Sequence, residues 1–460
     1  MSGSGQSSAP GPSTGSSARA AVHETEHSVV FLVGDRAYKL HKPAGDSATR
    51  AGREQSCRQE VELSRRLAPR TYLGVATVTD PAGQPCEHLV VMQRMPEEQR
   101  LTTLVRRGEP LATGIRLLAR ELAEFHAVAA RGEAVTSQGS RDVMRAQWRA
   151  TLDRARTSIG AETLVTIEKL IDEFLTSRAA LFDRRIAEGR IVDGHGDLLA
   201  DNIFRTGETF QVLGGPDLGV RARSLDGLND VALLAADLEQ LGAADLATLL
   251  VGAYTEYAGD PAPPALWHHF LAYRALSLAA DPRRPARQLA RMALDHLRAG
   301  AVRLILVCGG PASGKSTLST ALGLRLGATV LSTDRVRAQL AGSAAVPAVA
   351  VYPELLRQAG ERLGLGETVI LDASWSHPEH RLAARVVAAR THSRLVALQC
   401  WAPAATTVHR LAHRTGKASG RPLGGTAEMN PWPDTYRVLT AGTPDDALVQ
   451  ALAVIWEESQ

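Results

Sequence analysis

The chain has 460 residues and a mass of 49.1 kDa, more than one hydrophobic core ordinarily serves, so two or three domains are expected. Hydrophobic residues make up 44% and mean hydropathy is −0.10, and no stretch approaches the roughly 18 consecutive apolar residues of a membrane span, which argues against a bilayer protein. A net charge of +3 with 4% aromatic residues is a poor match to a nucleic-acid groove, which needs clustered cations and stacking rings.

Residues 1–21, beginning MSGSGQSSAPGPSTGSSARA, are rich in Ser, Gly and Pro without an apolar core. They read as a disordered tail and not a secretory signal, so a cytoplasmic protein is expected. VVFLV and AYKLH, joined by the turn signal Gly34-Asp35, read as a hairpin that opens an antiparallel sheet. A helix is expected over residues 53–67, where Val61, Leu63 and Leu67 are apolar among charges, ending near Pro69. EHLVVMQRM is then another strand. From residue 103 to 187 the apolar period is helical, so a small strand-rich lobe precedes a larger helical one. Helical patterning resumes over residues 229–297, broken by DPAPP and DPRRP, which puts the domain boundary near 298–300. Beyond it RLILVC, ATVLS, VILDAS and RLVALQCWA are buried strands between helical stretches, the order of a parallel sheet covered on both faces. The expected organisation is a tail (1–21), an α+β first domain (22–299) and an α/β second domain (300–460).

The four cysteines, Cys57, Cys86, Cys308 and Cys400, have neither CxxC nor CxxxH spacing, which argues for free thiols and against a disulfide framework or a zinc site. Only five of the 52 basic residues are lysine: Lys39, Lys42, Lys169, Lys315 and Lys417. Lysine is therefore expected where a compact ammonium is chemically required.

Gly309, Gly310, Pro311, Ala312, Ser313, Gly314, Lys315 and Ser316, followed by Thr317, fit GxxxxGK[ST] between a strand and a helix. Glycines let backbone N–H groups face phosphates, the helix N-terminus favours anions, and Lys315 reaches the β and γ oxygens of ATP. Ser316 is then the Mg²⁺ ligand. Asp372 ends the strand VIL, where an acidic residue either supports Mg²⁺ or caps the turn that follows. Asp334 ends the second strand, at the carboxyl edge where open parallel sheets bind ligands, and is expected to be a general base or substrate ligand. Arg337, one helical turn later, either meets an anionic substrate group or is a solvated charge. Arg410 and Arg414, at i and i+4 in VHRLAHRTG, suit a lid over the transferring phosphoryl group, with a wet helix face as the alternative.

On GGPASGKST, STDRVRAQL and VILDASW, residues 300–460 resemble the small P-loop kinases of the gluconate kinase and zeta-toxin type. The resemblance implies a three-layer P-loop NTPase fold, acceptor binding by Asp334, and a lid arginine, Arg410 or Arg414, closing on ATP.

In the first domain, His195-Gly196-Asp197-Leu198 is followed by Asn202. An HGDxxxxN spacing is the arrangement by which a kinase-like lobe sets a base beside an acceptor hydroxyl and a ligand on Mg²⁺. Upstream, Lys39 in the hairpin and Glu60 in the helix stand in the order of a phosphate-orienting ion pair, with Lys42 the competing lysine. From AYKLHKP through HGDLLADNIF the chain resembles the aminoglycoside phosphotransferase-like kinases, over residues 22–297. With the P-loop domain, the whole chain resembles bifunctional aminoglycoside phosphotransferase-like/ATP-binding proteins. The resemblance implies a bilobal, protein-kinase-like fold in which Lys39 holds the α/β phosphates, Glu60 orients it, Asp197 is the base and Asn202 binds metal. It also implies a metal-binding Asp on the strand after the HGD loop, where this chain reads Gly214. Half of the Mg²⁺ clamp is then missing unless Asp217 swings in, and a crippled or purely binding first domain is expected.

Asp226 and Asp230 are expected to cap and order the helix that follows, and His126, His268 and His269 to be buried or capping and not metal ligands. The expected function is transfer of the γ-phosphoryl of ATP to a small hydroxylated acceptor, sugar-like or aminoglycoside-like. The alternative is a nucleotide-binding sensor in which ATP shifts domain contacts.

Overall fold

The computed structural model describes residues 21–24, 28–43, 48–214, 219–340, 348–415 and 434–457. The expected tail, up to residue 20, and Asp217 lie outside the described residues, as does the side chain of Arg414. The chain divides into two compact units, one of residues 1–109 and 201–219, the other of residues 110–200 and 220–460.

In the first unit a five-stranded antiparallel sheet runs in the order Ala21–Glu24, Ser28–Val33, Arg36–His41, Pro85–Gln93, Tyr72–Thr79. The expected hairpin pairs Ser28 with His41 and Val33 with Arg36. Gly34 turns it at φ +59, a left-handed conformation that glycine adopts without steric cost. The helix Arg50–Ser64 starts a turn earlier than the apolar spacing indicates, because the Thr49 side chain accepts a hydrogen bond from Gly52 N at 3.0 Å and caps it. Its Cys57 and Val61 press on Ala37, Tyr72, Val90 and Met92 of the sheet. A short hairpin, Ile203–Thr206 with Thr209–Val212, completes the unit.

The second unit opens with helices. They include Ala112–Val128, Arg141–Ala155, Ala161–Ser177, Ala179–Ala187, Gly227–Gln240, Ala244–Tyr257, Pro264–Ala279 and Ala286–Ala299. DPAPP and DPRRP fall in breaks between them, and Pro264 occupies the first turn of its helix, where a missing N–H costs nothing. Asp226 caps Gly227–Gln240, accepting from Leu228 N at 2.9 Å. It also takes two 2.7 Å bonds from the guanidinium of Arg185, which is 2% exposed and bonds Asp260 as well.

Five parallel strands follow in the spatial order Thr329–Ser332, Val369–Asp372, Arg303–Cys308, Arg394–Trp401, Thr435–Leu439. In the central strand Leu304, Leu306 and Cys308 face one apolar cluster with Leu355, Leu371 and Trp375. Ile305 and Val307 face another with Leu318, Leu322 and Ile455. Burial on both faces is why RLILVC reads as an unbroken apolar run with no polar alternation. The result is the three-layer architecture expected of this half.

The helical segment and the parallel sheet share a packed boundary inside this unit. Arg178, 1% exposed at the break between two helices, donates to Thr391 O at 2.7 Å. Thr391 is the C-cap of Pro378–Arg390, and a cation is favoured at a helix C-terminus. Among the described residues no helix is long and apolar enough to cross a membrane.

Candidate active sites

The P-loop leaves the central strand at Gly309 and enters the helix Lys315–Leu326. Gly309 has φ +144, and a Cβ there would meet Ser313 Oγ at 2.6 Å and Cys400 O at 2.8 Å, so only glycine lets the loop pass this close to the neighbouring strand. Gly314, at φ +91, and Ala312, at φ +60, complete the turn. The ammonium of Lys315 arches back over the loop and donates to Gly310 O at 2.8 Å. Thr440, after the last strand, props the loop by donating to Ser313 O at 2.6 Å, and Arg410 donates in turn to Thr440 O at 2.6 Å.

Lys315, Ser316, Thr317 and Arg410 line one cavity of about 490 Å³, together with His409, His413, Thr440 and Thr443. Beneath the loop, burial pushes the thiols of Cys308 and Cys400 up to about 12, so they are inert filling and not nucleophiles.

Asp372 stands at the carboxyl end of its strand, opposite Val307 of the P-loop strand. It is 8% exposed, and among the described residues its carboxylate makes no hydrogen bond or ion pair. A buried carboxylate needs a positive partner, and a carboxylate and the Ser316 hydroxyl are the kind of oxygen donors that a hard divalent cation takes. The residue types fit Mg²⁺, and of the two Ser316 lines the cavity while Asp372 does not. Asp334 and Arg337 are placed otherwise. They form an exposed i, i+3 ion pair at 3.0 Å in the first turns of Thr333–Leu340, with the Asp334 side chain 91% exposed, and neither lines the cavity. Such a pair contributes little to stability.

In the first unit, Lys39 donates to both oxygens of Glu60, at 3.1 and 3.0 Å. The competing Lys42 pairs instead with the exposed Glu24 at 2.6 Å. Period-2 alternation puts His41 on the same face of its strand as Lys39, and its Nε2 lies 2.8 Å from Glu60 Oε2. Glu60 is thus shared by two cations, which no sequence pattern announced. Burial alone would lower the His41 pKa, but hydrogen bonds to Cys57 and Glu60 outweigh it and raise it to about 9. A folded-state value above the ordinary 6.5 means that the folded unit holds this proton more tightly than the unfolded chain does. The stabilisation is complete below about 6.5 and is lost as pH rises through about 9. Urea unfolding between pH 6.5 and 9.5 is expected to show this decline, and His41→Asn to flatten it; an equally steep decline in the variant would contradict the assignment.

The backbone carbonyl of Asn202 accepts from Leu213 N at 2.8 Å. Gly214 follows at φ +88, donating its N–H to Tyr72 Oη at 3.1 Å, and a Cβ there would lie 3.4 Å from the Asn202 amide nitrogen. The backbone itself is in a glycine conformation beside Asn202. The described residues at this point therefore do not fit a two-ligand Mg²⁺ clamp.

In the second unit the His195–Ala200 loop is held at both ends by one helix. Asp230, fully buried, accepts from His195 N at 2.6 Å and Gly196 N at 2.9 Å, and lies 3.1 Å from His126 Nε2. Two turns along the same face, Asp237 accepts from Ala200 N at 2.8 Å. Asp197, half-buried, sits between these anchors. Asp230 is therefore a loop anchor, not the helix cap expected of it. His126 and His269 are buried as expected, His269 accepting from Trp148 Nε1 at 3.0 Å with its pKa pushed down to about 3 by burial. Among the described residues no cluster of three or more His, Cys, Asp or Glu is placed to hold a metal.

The sequence model of the phosphotransferase enzyme family matches residues 23–267, and that of an AAA domain matches residues 304–429. Proteins of Mycobacterium tuberculosis and Mycobacterium bovis, both described as uncharacterized, are 36% identical over 95% of this chain and 95% of their own. Among solved structures, a choline/ethanolamine kinase family protein from Mesorhizobium loti is 17% identical over 62% of this chain and 88% of its own, with a TM-score of 0.39. An APS kinase of M. tuberculosis, solved with AMPPNP and APS, is 21% identical over 34% of this chain and 98% of its own, with a TM-score of 0.28. A gluconokinase from Sinorhizobium meliloti is 21% identical over 34% and 93%, also with a TM-score of 0.28.

Proposed function

Because this chain belongs to the phosphotransferase enzyme family and carries an AAA-type P-loop domain behind the family domain, we propose that it transfers the γ-phosphoryl of ATP to a small hydroxylated acceptor at the P-loop, with the first domain accessory. The observation that carries this reading is the cavity lined by Lys315, Ser316 and Arg410. There Lys315 holds the β and γ oxygens, and Arg410, tied to the loop through Thr440 O, neutralises charge that develops as the phosphoryl group moves. Ser316 and Asp372 hold Mg²⁺, which supplies charge neutralisation when bound. Asp334 takes the acceptor proton once Arg337 releases it, and Arg337 then meets an anionic group of the acceptor. Arg414, a turn beyond Arg410, belongs to the same lid. An ATP-consuming reaction of this kind belongs in the cytoplasm.

The glycine conformation at Gly214 favours a first domain, residues 22–299, that binds acceptor or regulates its neighbour, residues 300–460, over one that turns over ATP. The test is transfer of label from ATP carrying a radioactive γ-phosphate to a panel of sugars, aminoglycosides and nucleosides. Label in one acceptor class is the expected result. ATP binding with no labelled acceptor, and turnover no faster with acceptor than without, would overturn the transferase reading in favour of a nucleotide sensor.

A further inference from the structure

The helix Ala404–Thr415 carries, besides Arg410, two histidines four residues apart, His409 and His413. A spacing of four puts both on one face of a helix. Their Nε2 atoms are 3.1 Å apart and their ring centroids 4.4 Å apart. Both rings are exposed, and both line the same 490 Å³ cavity as Lys315 and Ser316.

Without metal this contact is a hydrogen bond from the N–H of one ring to the free nitrogen of the other, and the same separation suits a chelate once that proton is displaced. Imidazole nitrogens bind Zn²⁺ at about 2.0–2.1 Å, and two such bonds spanning 3.1 Å enclose an angle of about 98°, between the octahedral 90° and the tetrahedral 109°. Neutral imidazole suits Zn²⁺, Ni²⁺ and Co²⁺, whereas Mg²⁺ takes oxygen ligands, so this pair does not compete for the ion assigned to Ser316 and Asp372. Two protein ligands leave at least two coordination positions open. Lys315 and Arg410 in the same cavity oppose a bare cation, and the phosphates of a bound nucleotide offset that repulsion and offer oxygen ligands.

We propose that His409 and His413 form a transition-metal site of the Zn²⁺ class at the mouth of the P-loop cavity, filled cooperatively with nucleotide. The coupling rests on the reading of the P-loop as a nucleotide site; the chelate itself does not. By linkage, metal tightens nucleotide and nucleotide tightens metal by the same factor. A metal bridging the helix to the phosphates also ties down the segment that must move for products to leave, so Zn²⁺ slows turnover while strengthening nucleotide binding.

The test is Zn²⁺ binding to the full chain by competition with a chromophoric chelator, with Co²⁺ absorbance as a second readout, each with and without AMPPNP. One metal per chain is expected, bound more tightly with AMPPNP. His409→Ala and His413→Ala are each expected to weaken it by at least the roughly tenfold that loss of even an outer-shell partner costs. Both positions are exposed, so folding is not at risk. Unchanged affinity in both variants, or no binding by the wild type at about 100 μM Zn²⁺, overturns the proposal. Lys315→Ala separates the two readings, because it is expected to lose the AMPPNP effect and keep metal binding in the absence of nucleotide. AMPPNP binding without any metal binding sinks the chelate alone. Metal binding with AMPPNP affinity unaffected by Lys315→Ala sinks the nucleotide reading alone.

Discussion

Lys315→Ala is expected to lower kcat/KM for ATP-dependent phosphoryl transfer by at least roughly 10²–10³-fold, the scale of losing one preorganised charge-stabilising donor. Among the described residues the ammonium has one protein bond, to the exposed Gly310 O at 2.8 Å, so its removal leaves no buried group unsatisfied and unfolding midpoints should hardly move. Asp197→Ala in the same assay is expected to change kcat/KM only a few-fold, because Gly214 provides no carboxylate beside Asn202. The opposite pattern, activity surviving without Lys315 and vanishing without Asp197, would put catalysis in the first domain and require a metal ligand other than Gly214. Loss in both variants would mean that the two domains act on one reaction.

The contrast between these two sites follows how each is encoded. A P-loop is local: eight consecutive residues between a strand and a helix prescribe the backbone; Gly309 is glycine because Ser313 and Cys400 leave no room for a Cβ, and Gly314 because its φ is +91. That much was legible in the sequence, as were the hairpin at Gly34 and the two-sided burial of RLILVC. Of what surrounds the loop, Arg410 was read as a lid residue, but the bonds that hold it there were not. Thr440 donates to Ser313 O and Arg410 to Thr440 O, through backbone carbonyls, which every residue offers and no motif records. Asp334 and Arg337 were read from strand order alone, which places them at the carboxyl edge of the sheet but does not announce the ion pair they make with each other. The histidines of VHRLAHR carried a readable signal in their spacing of four, overshadowed by the two arginines beside them.

In the first domain the Lys39–Glu60 pair was legible from the order of strand and helix, but the second cation on Glu60 was not. His41 lies on the same face by strand alternation, and only the depth of burial makes its contact with Glu60 consequential. Gly214 shows the reverse. The sequence shows a missing carboxylate, and the structure adds that φ is +88 there, so restoring Asp would strain the backbone as well as add a ligand. The main chain at this position therefore favours glycine over any residue with a Cβ.

Asp230→Ala is expected to destabilise the second unit by about 3–5 kcal/mol, the range for removing one partner from a buried charged network. The carboxylate is fully buried and serves His195 N, Gly196 N and His126 at once, and alanine leaves two backbone donors and an imidazole without an acceptor. Burial raises its pKa, but the His126 hydrogen bond and the charges and N–H groups around it prevail and hold it at about 2, below the ordinary 3.8. A depressed value means that the stabilisation is present above about 3.8 and is lost as pH falls through about 2, so the difference between wild type and variant should shrink in acid. Asp230→Asn keeps one acceptor oxygen and is expected to cost less than alanine. Urea unfolding at neutral pH measures both; a loss under about 1 kcal/mol for alanine would mean that the loop finds other acceptors. Because the same helix also holds Ala200 through Asp237, Asp230→Ala frees one end of the Asp197 loop and leaves the other tied. Hydrogen exchange at residues 195–197 should therefore rise well before that at residue 200, a gradient that global unfolding would not produce.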